Sequence, residues 1–302
     1  MINEKTINIK KKDNVILFCE NVIFYLLVFT IFIIPLFFNI HSYDQFELPK
    51  LTILRILTLL MIIFWGIKIT RQGYVDFKPT PLDFPMFLWV VMNIVTTLTS
   101  FAPHLSFRGE YENFAGSLSN INYVLLYYIA TQNLKNKKQI ITVNYAFLLA
   151  GLLSGLYAVA QFYGYDFIKW NEESMIKGRY FASMGNPNFL GALLIMIIPV
   201  NFAFLSINLK KKNYFFSILL FGLFLLLYIA LFGTQSRGPF LGFLISLIFF
   251  LFYFLYKLYI NIKHESASKR VSFFYILNFL VKKYKYWISG IILIIIISFA
   301  LS

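Results

Sequence analysis

A single cysteine, Cys19, stands in 302 residues, so the chain can form no intramolecular disulfide, and its place at the edge of an apolar run suits a small apolar side chain. Histidine is nearly as scarce. His41, His104 and His264 are the three present, and none is spaced from another His or Cys as metal ligands are. Charge is thin as well, with Asp, Glu, Lys and Arg making up 13% of the residues, about half the share of a soluble domain. No phosphate-loop motif or dinucleotide fingerprint is found, which leaves nucleotide-dependent soluble chemistry without support. The site residues expected below therefore include no metal ligand and call for no cofactor.

What the chain does contain is apolar: 59% of it is hydrophobic and 20% aromatic, gathered in long runs rather than in the short alternating segments of a soluble core. A bilayer needs about 20 apolar residues per helix. Such runs predict an all-α polytopic bundle with spans at 15–38, 51–70, 84–101, 117–134, 140–163, 188–207, 214–233, 239–256 and 287–302, all within one membrane domain, 1–302. Lys10, Lys11 and Lys12 precede a first run that lacks a small-residue cleavage site, which predicts a retained helix and a cytoplasmic N-terminus. Counting cations supports that orientation, because cytoplasmic loops collect them. Of the 27 Lys and Arg, only Lys50, Arg55, Arg108, Lys169, Lys177, Arg179 and Arg237 remain for the outer side. Residues 257–286 mix cations with aromatic residues and predict a cytoplasmic interfacial segment. The net charge of +14 is spread over short loops with no binding module between them. It suits anionic membrane lipids as partners and not nucleic acid.

The outer cations carry the functional argument. Helices two, four, six and eight of this scheme run inward and present their positive dipole ends outward, where a basic residue costs about 0.3–1 kcal/mol. Yet Lys50 follows Pro49 at the start of helix two, Arg108 precedes helix four, Arg179 precedes helix six, and Arg237 precedes helix eight. A bound phosphate or pyrophosphate would offset that cost, since free backbone N–H groups, the dipole and an arginine fork together make an anion site. Asn186 is placed to cap helix six with Pro187 at its first position, and glycines flank Arg237 in Gly233-Thr-Gln-Ser-Arg-Gly-Pro239. The competing expectation is that Glu47, Glu110, Glu112, Glu172 and Glu173 pair with these cations.

Five segments occur in a telling order: Phe46-Glu-Leu-Pro-Lys50, Ser106-Phe-Arg-Gly-Glu-Tyr-Glu-Asn-Phe-Ala-Gly116, Gln161-Phe-Tyr-Gly-Tyr-Asp166, Arg179 through Gly185-Asn-Pro-Asn-Phe-Leu-Gly191, and Thr234-Gln-Ser-Arg-Gly238. Together they resemble the O-antigen ligase and polymerase superfamily, in the branch whose membrane part is followed by tetratricopeptide repeats. The resemblance implies a metal-independent glycosyltransferase of the bacterial cytoplasmic membrane. Such an enzyme would move a glycan from undecaprenyl pyrophosphate to an acceptor glycan, lipid or protein at the outer face. By that analogy Arg179 and Arg237 would hold the pyrophosphate, with Arg108 and then Lys50 as weaker candidates, while Asn186, Pro187, Asn188, Ser236 and Gly238 would shape the site. The family's histidine, proposed to activate the acceptor, lies on a large outer loop after the ninth or a later helix, and neither His41 nor His104 matches it. The resemblance thus implies a general base beyond Ser302 and little transfer from these 302 residues alone. A transporter or flippase for a lipid-linked anion, and a non-catalytic membrane scaffold, are the competing classes.

Overall fold

The structure is a computed structural model that describes residues 13–110, 114–168, 170 and 179–265. Among them the chain is all-helical: α1 (Asn14–Ile33), α2 (Glu47–Gln72), α3 (Asp83–Leu98), α4 (Pro103–Arg108), α5 (Ser117–Asn133), α6 (Lys137–Phe162), α7 (Pro187–Lys210), α8 (Tyr214–Gly233) and α9 (Arg237–Glu265), with a single 3-10 turn at Ala182–Met184. Eight of the nine predicted runs fall on helices, and the ninth, 287–302, lies outside the described residues. Five helices, α1, α2, α6, α7 and α8, are long and apolar enough to cross a membrane. The apolar part of α9 described to Phe250 and the whole of α3 are shorter, and α5 carries Asn120, Asn122, Gln132 and Asn133 within 17 residues.

Local chemistry sets the helix ends. α1 stops short of its predicted end because Pro35 has no N–H with which to continue the ladder. α2 begins at Glu47, ahead of its apolar run, because the Asp44 carboxylate accepts from the backbone N–H groups of Phe46, Glu47 and Leu48 at 3.0, 3.1 and 2.9 Å. The start of α6 carries a capping box between Asn136 and Gln139. α9 continues without a break through Glu265, so the first residues of the predicted interfacial segment prolong that helix; 266–286 lie outside the described residues.

Helices in lipid gain little from burying apolar surface against one another and rely on close contact and interhelical hydrogen bonds. α6 provides the contact through Ala150, Ser154 and Ala158, all fully buried, and Gly151, where a Cβ would come within 2.7 Å of Ile197 on α7. Asn201, fully buried in α7, donates from Nδ2 to the Leu220 carbonyl of α8 at 2.9 Å. Outward faces remain apolar: Phe215 and Ile218 on α8 and Phe249 on α9 are about 70% exposed, at 69%, 70% and 71%. Such faces suit lipid as solvent.

The bundle has two chemically distinct ends. At one, Glu20 of α1 lies 3.6 Å from Lys68 and 2.8 Å from Lys135, and Lys68 also donates to Asn133 Oδ1 at 2.8 Å. Lys68 is only 5% exposed, so Glu20 neutralises a charge that water does not reach. Glu20→Gln is expected to cost about 1–3 kcal/mol, read as a lower thermal unfolding midpoint in detergent; an unchanged midpoint would show that the pair contributes nothing. The other end collects the starts of α2, α5, α7 and α9 and the finishes of α1, α6 and α8.

Candidate functional site at one end of the bundle

The segment from Arg179 to Asn188 is tied to a different helix at nearly every step. Arg179 Nε donates to the Thr234 carbonyl at the end of α8 at 2.9 Å, and the Tyr180 N–H donates to Gly233 at 3.3 Å. The Ala182 N–H donates to Gln161 Oε1 of α6 at 2.8 Å, and Ser183 Oγ donates to the Pro35 carbonyl after α1 at 2.7 Å. Lys50 of α2 reaches in from the other side, its Nζ 2.6 Å from the Ser183 carbonyl. The Asn186 side chain then accepts from the Asn188 N–H at 2.8 Å, with Pro187 at the first position of α7, as the sequence predicts.

Close packing makes this path specific. Gly185 has φ +74°, and a Cβ there would sit 2.3 Å from the Phe46 ring. That ring packs against Trp170 and Phe181 at centroid separations of 5.1 and 5.8 Å. Ala182, fully buried, also takes a positive φ of 47°, a conformation disfavoured for any residue with a Cβ. The surrounding hydrogen bonds hold it there.

Arg179 is oriented by three acceptors. Besides Thr234, its NH2 donates to Ser236 Oγ at 2.8 Å and to Asn188 Oδ1 at 3.4 Å. Nε and NH2 are thereby engaged, while NH1 keeps both of its N–H donors uncommitted among the described residues. The expected dipole penalty is also met without a ligand. Because α8 ends where α7 and α9 begin, the guanidinium lies on a C-terminal carbonyl, the favourable position for a cation. Lys50 is compensated in the same way by the Ser183 carbonyl.

The other candidates are placed differently. Arg237, the first residue of α9, is exposed and makes no hydrogen bond or ion pair among the described residues, so the argument from an uncompensated cation at a helix start rests on it. It directly follows the serine that Arg179 holds. Gly238 and Pro239 belong to the first turn of α9, which begins two residues ahead of the predicted start at 239. Arg108 lies at the end of the short helix α4, which the sequence does not suggest, and so faces a favourable dipole of its own and needs no anion. None of these cations has a carboxylate within ion-pair distance among the described residues, where the ion pairs involve Glu20; Glu112, Glu172 and Glu173 lie outside them. His41 and His104 are exposed, and neither side chain makes a hydrogen bond among the described residues.

Asp166 has a role that the sequence leaves unassigned. Its carboxylate accepts from Tyr157 Oη at 2.9 Å, Gln161 Nε2 at 2.8 Å, the Ile168 N–H at 3.1 Å and Trp170 Nε1 at 2.8 Å. By holding Gln161 through its amide nitrogen, it turns the amide oxygen toward the Ala182 N–H. Asp166→Ala is expected to destabilise the fold by about 2–4 kcal/mol through the orphaned donors and to release the 179–185 segment, measured as faster backbone hydrogen exchange there. Unchanged exchange would separate Asp166 from the site.

No protein-family model, curated protein or solved structure matches this chain.

Proposed function

We propose that the protein is a membrane glycosyltransferase of the O-antigen ligase or polymerase type, transferring a glycan from undecaprenyl pyrophosphate to an acceptor hydroxyl. In this reading the lysine-rich end faces the cytoplasm, the chain makes about nine crossings of the bacterial cytoplasmic membrane, and the Arg179 end faces out. The observation that carries it is the fixed guanidinium of Arg179, with NH1 uncommitted, hydrogen-bonded to the residue that precedes the unpaired Arg237. The start of α9 adds its positive dipole end beside the two cations, while at the start of α7 the Asn188 N–H is already held by Asn186.

That arrangement suits a leaving group that gains charge. As the bond between sugar C1 and the pyrophosphate oxygen breaks, the electron pair stays on the phosphate, the acceptor oxygen bonds to C1, and its proton passes to a general base or to water. Donors fixed in advance bind the developing charge more strongly than the starting diester, which lowers the barrier. Membrane lipids and the lipid-linked glycan are the partners required.

In the cell that encodes the protein, Arg237→Ala should leave its abundance in the membrane intact, and Arg179→Ala and Arg237→Ala should each cause lipid-linked glycan to accumulate. Normal glycan transfer in both variants would sink the assignment. Loss of lipid-linked glycan from the outer leaflet, with accumulation inside, would favour a flippase.

A further inference from the structure

Beside the 182–184 turn, a cleft of ≈ 350 Å³ opens between α1, α2, α5 and α7, a volume in the range of small-molecule sites. Arg179 and Arg237 do not line it. Its polar groups are Glu47, Lys50, Asn120 and Tyr123, set against the apolar Phe114, Phe189 and Leu51.

The hydrogen-bonding capacity of the polar groups is largely open. Lys50 Nζ contacts the Ser183 carbonyl at 2.6 Å and Met184 Sδ at 3.8 Å, so one of its three N–H donors remains. Asn120 donates from Nδ2 to Asn93 Oδ1 at 2.8 Å, which leaves its own carbonyl oxygen unengaged among the described residues. The Glu47 carboxylate and the Tyr123 hydroxyl make no hydrogen bond among the described residues. One cationic donor, one phenol and two kinds of acceptor therefore belong to residues that line a space walled mostly by aromatic and aliphatic carbon.

This mixture selects among ligands. An anion such as phosphate would meet Lys50 but be repelled by Glu47. A hydrocarbon chain would return no hydrogen bond to these polar groups, at about 1–3 kcal/mol for each one that it deprives of water. A pyranose ring satisfies both halves: its hydroxyls donate to Glu47 and Asn120 and accept from Lys50 and Tyr123, while its C–H face lies on carbon.

We infer that this cleft is a sugar-binding subsite that takes one pyranose unit. Assigning that unit to the transferred glycan or its acceptor rests on the transferase reading; the preference for a sugar does not.

The test is saturation-transfer NMR on the 302-residue chain in lipid nanodiscs, with a panel of methyl glycosides of neutral hexoses and N-acetylhexosamines. At least one glycoside should receive saturation, with affinity reduced about tenfold or more in Glu47→Gln and in Tyr123→Phe, the loss of one good hydrogen bond. Both substitutions keep side-chain volume, and unchanged thermal unfolding verifies that each variant is folded. Lys137→Ala, exposed at the opposite end of the bundle, should bind the glycoside as the parent does. Absence of saturation transfer across the panel, or binding indifferent to both substitutions, would overturn the inference even where undecaprenyl pyrophosphate binds. Glycoside binding without any undecaprenyl pyrophosphate binding would uphold the cleft and remove the transferase reading.

Discussion

Replacing Arg237 by alanine is expected to slow glycan transfer by about 10²–10³-fold, the loss typical of removing one fixed donor to a developing anion, without lowering the thermal unfolding midpoint. The second half of that expectation follows from its surroundings. Arg237 is exposed and holds no other described group, so its removal orphans nothing. Arg179→Ala should combine a similar rate loss with lower stability, because the Thr234 carbonyl, Ser236 Oγ and Asn188 Oδ1 lose their donor together. Arg237→Lys separates charge from geometry: a lysine keeps the cation and loses the planar fork, so transfer should recover in part. Transfer rates measured on membranes, beside unfolding curves for the same variants, test all three. Arg237→Ala membranes that transfer at the parent rate would remove Arg237 from the chemistry.

Gly185→Val should be the most damaging single change to the architecture of this end. The φ of +74° costs a β-branched residue about 1–3 kcal/mol, and the new Cβ would stand 2.3 Å from the Phe46 ring, which is itself wedged against Trp170 and Phe181. Overpacking adds about 1–3 kcal/mol. Gly191→Val tests the neighbouring contact, where a Cβ would come within 2.6 Å of Pro239 and push the starts of α7 and α9 apart. Gly222 in α8 has no atom within 4 Å of the equivalent position and provides the control. The expected order of unfolding midpoints is Gly222→Val above Gly191→Val above Gly185→Val. A Gly185 variant as stable as the Gly222 variant would contradict the packing described for the 179–188 segment.

Much of the scaffold was legible because lipid imposes a simple pattern. The apolar run 214–233 coincides with α8 to the residue, and the Asn186-Pro187 start of α7 follows from capping chemistry alone. The gathering of basic helix starts at one end also follows from alternation of direction. Other features depend on contacts remote in sequence. Nothing in Pro103–Arg108 marks a separate helix. Nothing near Arg179 announces that the carbonyl end of α8 lies beside it, so the dipole argument overstated the need for an anion at Arg179 and at Lys50 and left it in force at Arg237. Gln161 and Asp166 stand out as a motif, but the link from Asp166 through Gln161 to Ala182 spans two loops and is visible only once they are folded together. The polar groups of the cleft come from α2 and α5, and no spacing in the sequence relates them.

The most direct test of the central claim is equilibrium binding of undecaprenyl pyrophosphate to the protein in nanodiscs, with inorganic pyrophosphate as competitor. The site described predicts saturable binding that pyrophosphate displaces and that Arg179→Ala and Arg237→Ala each weaken about tenfold or more, the effect of losing a charge-assisted hydrogen bond. Equal binding by the parent and both variants would contradict it.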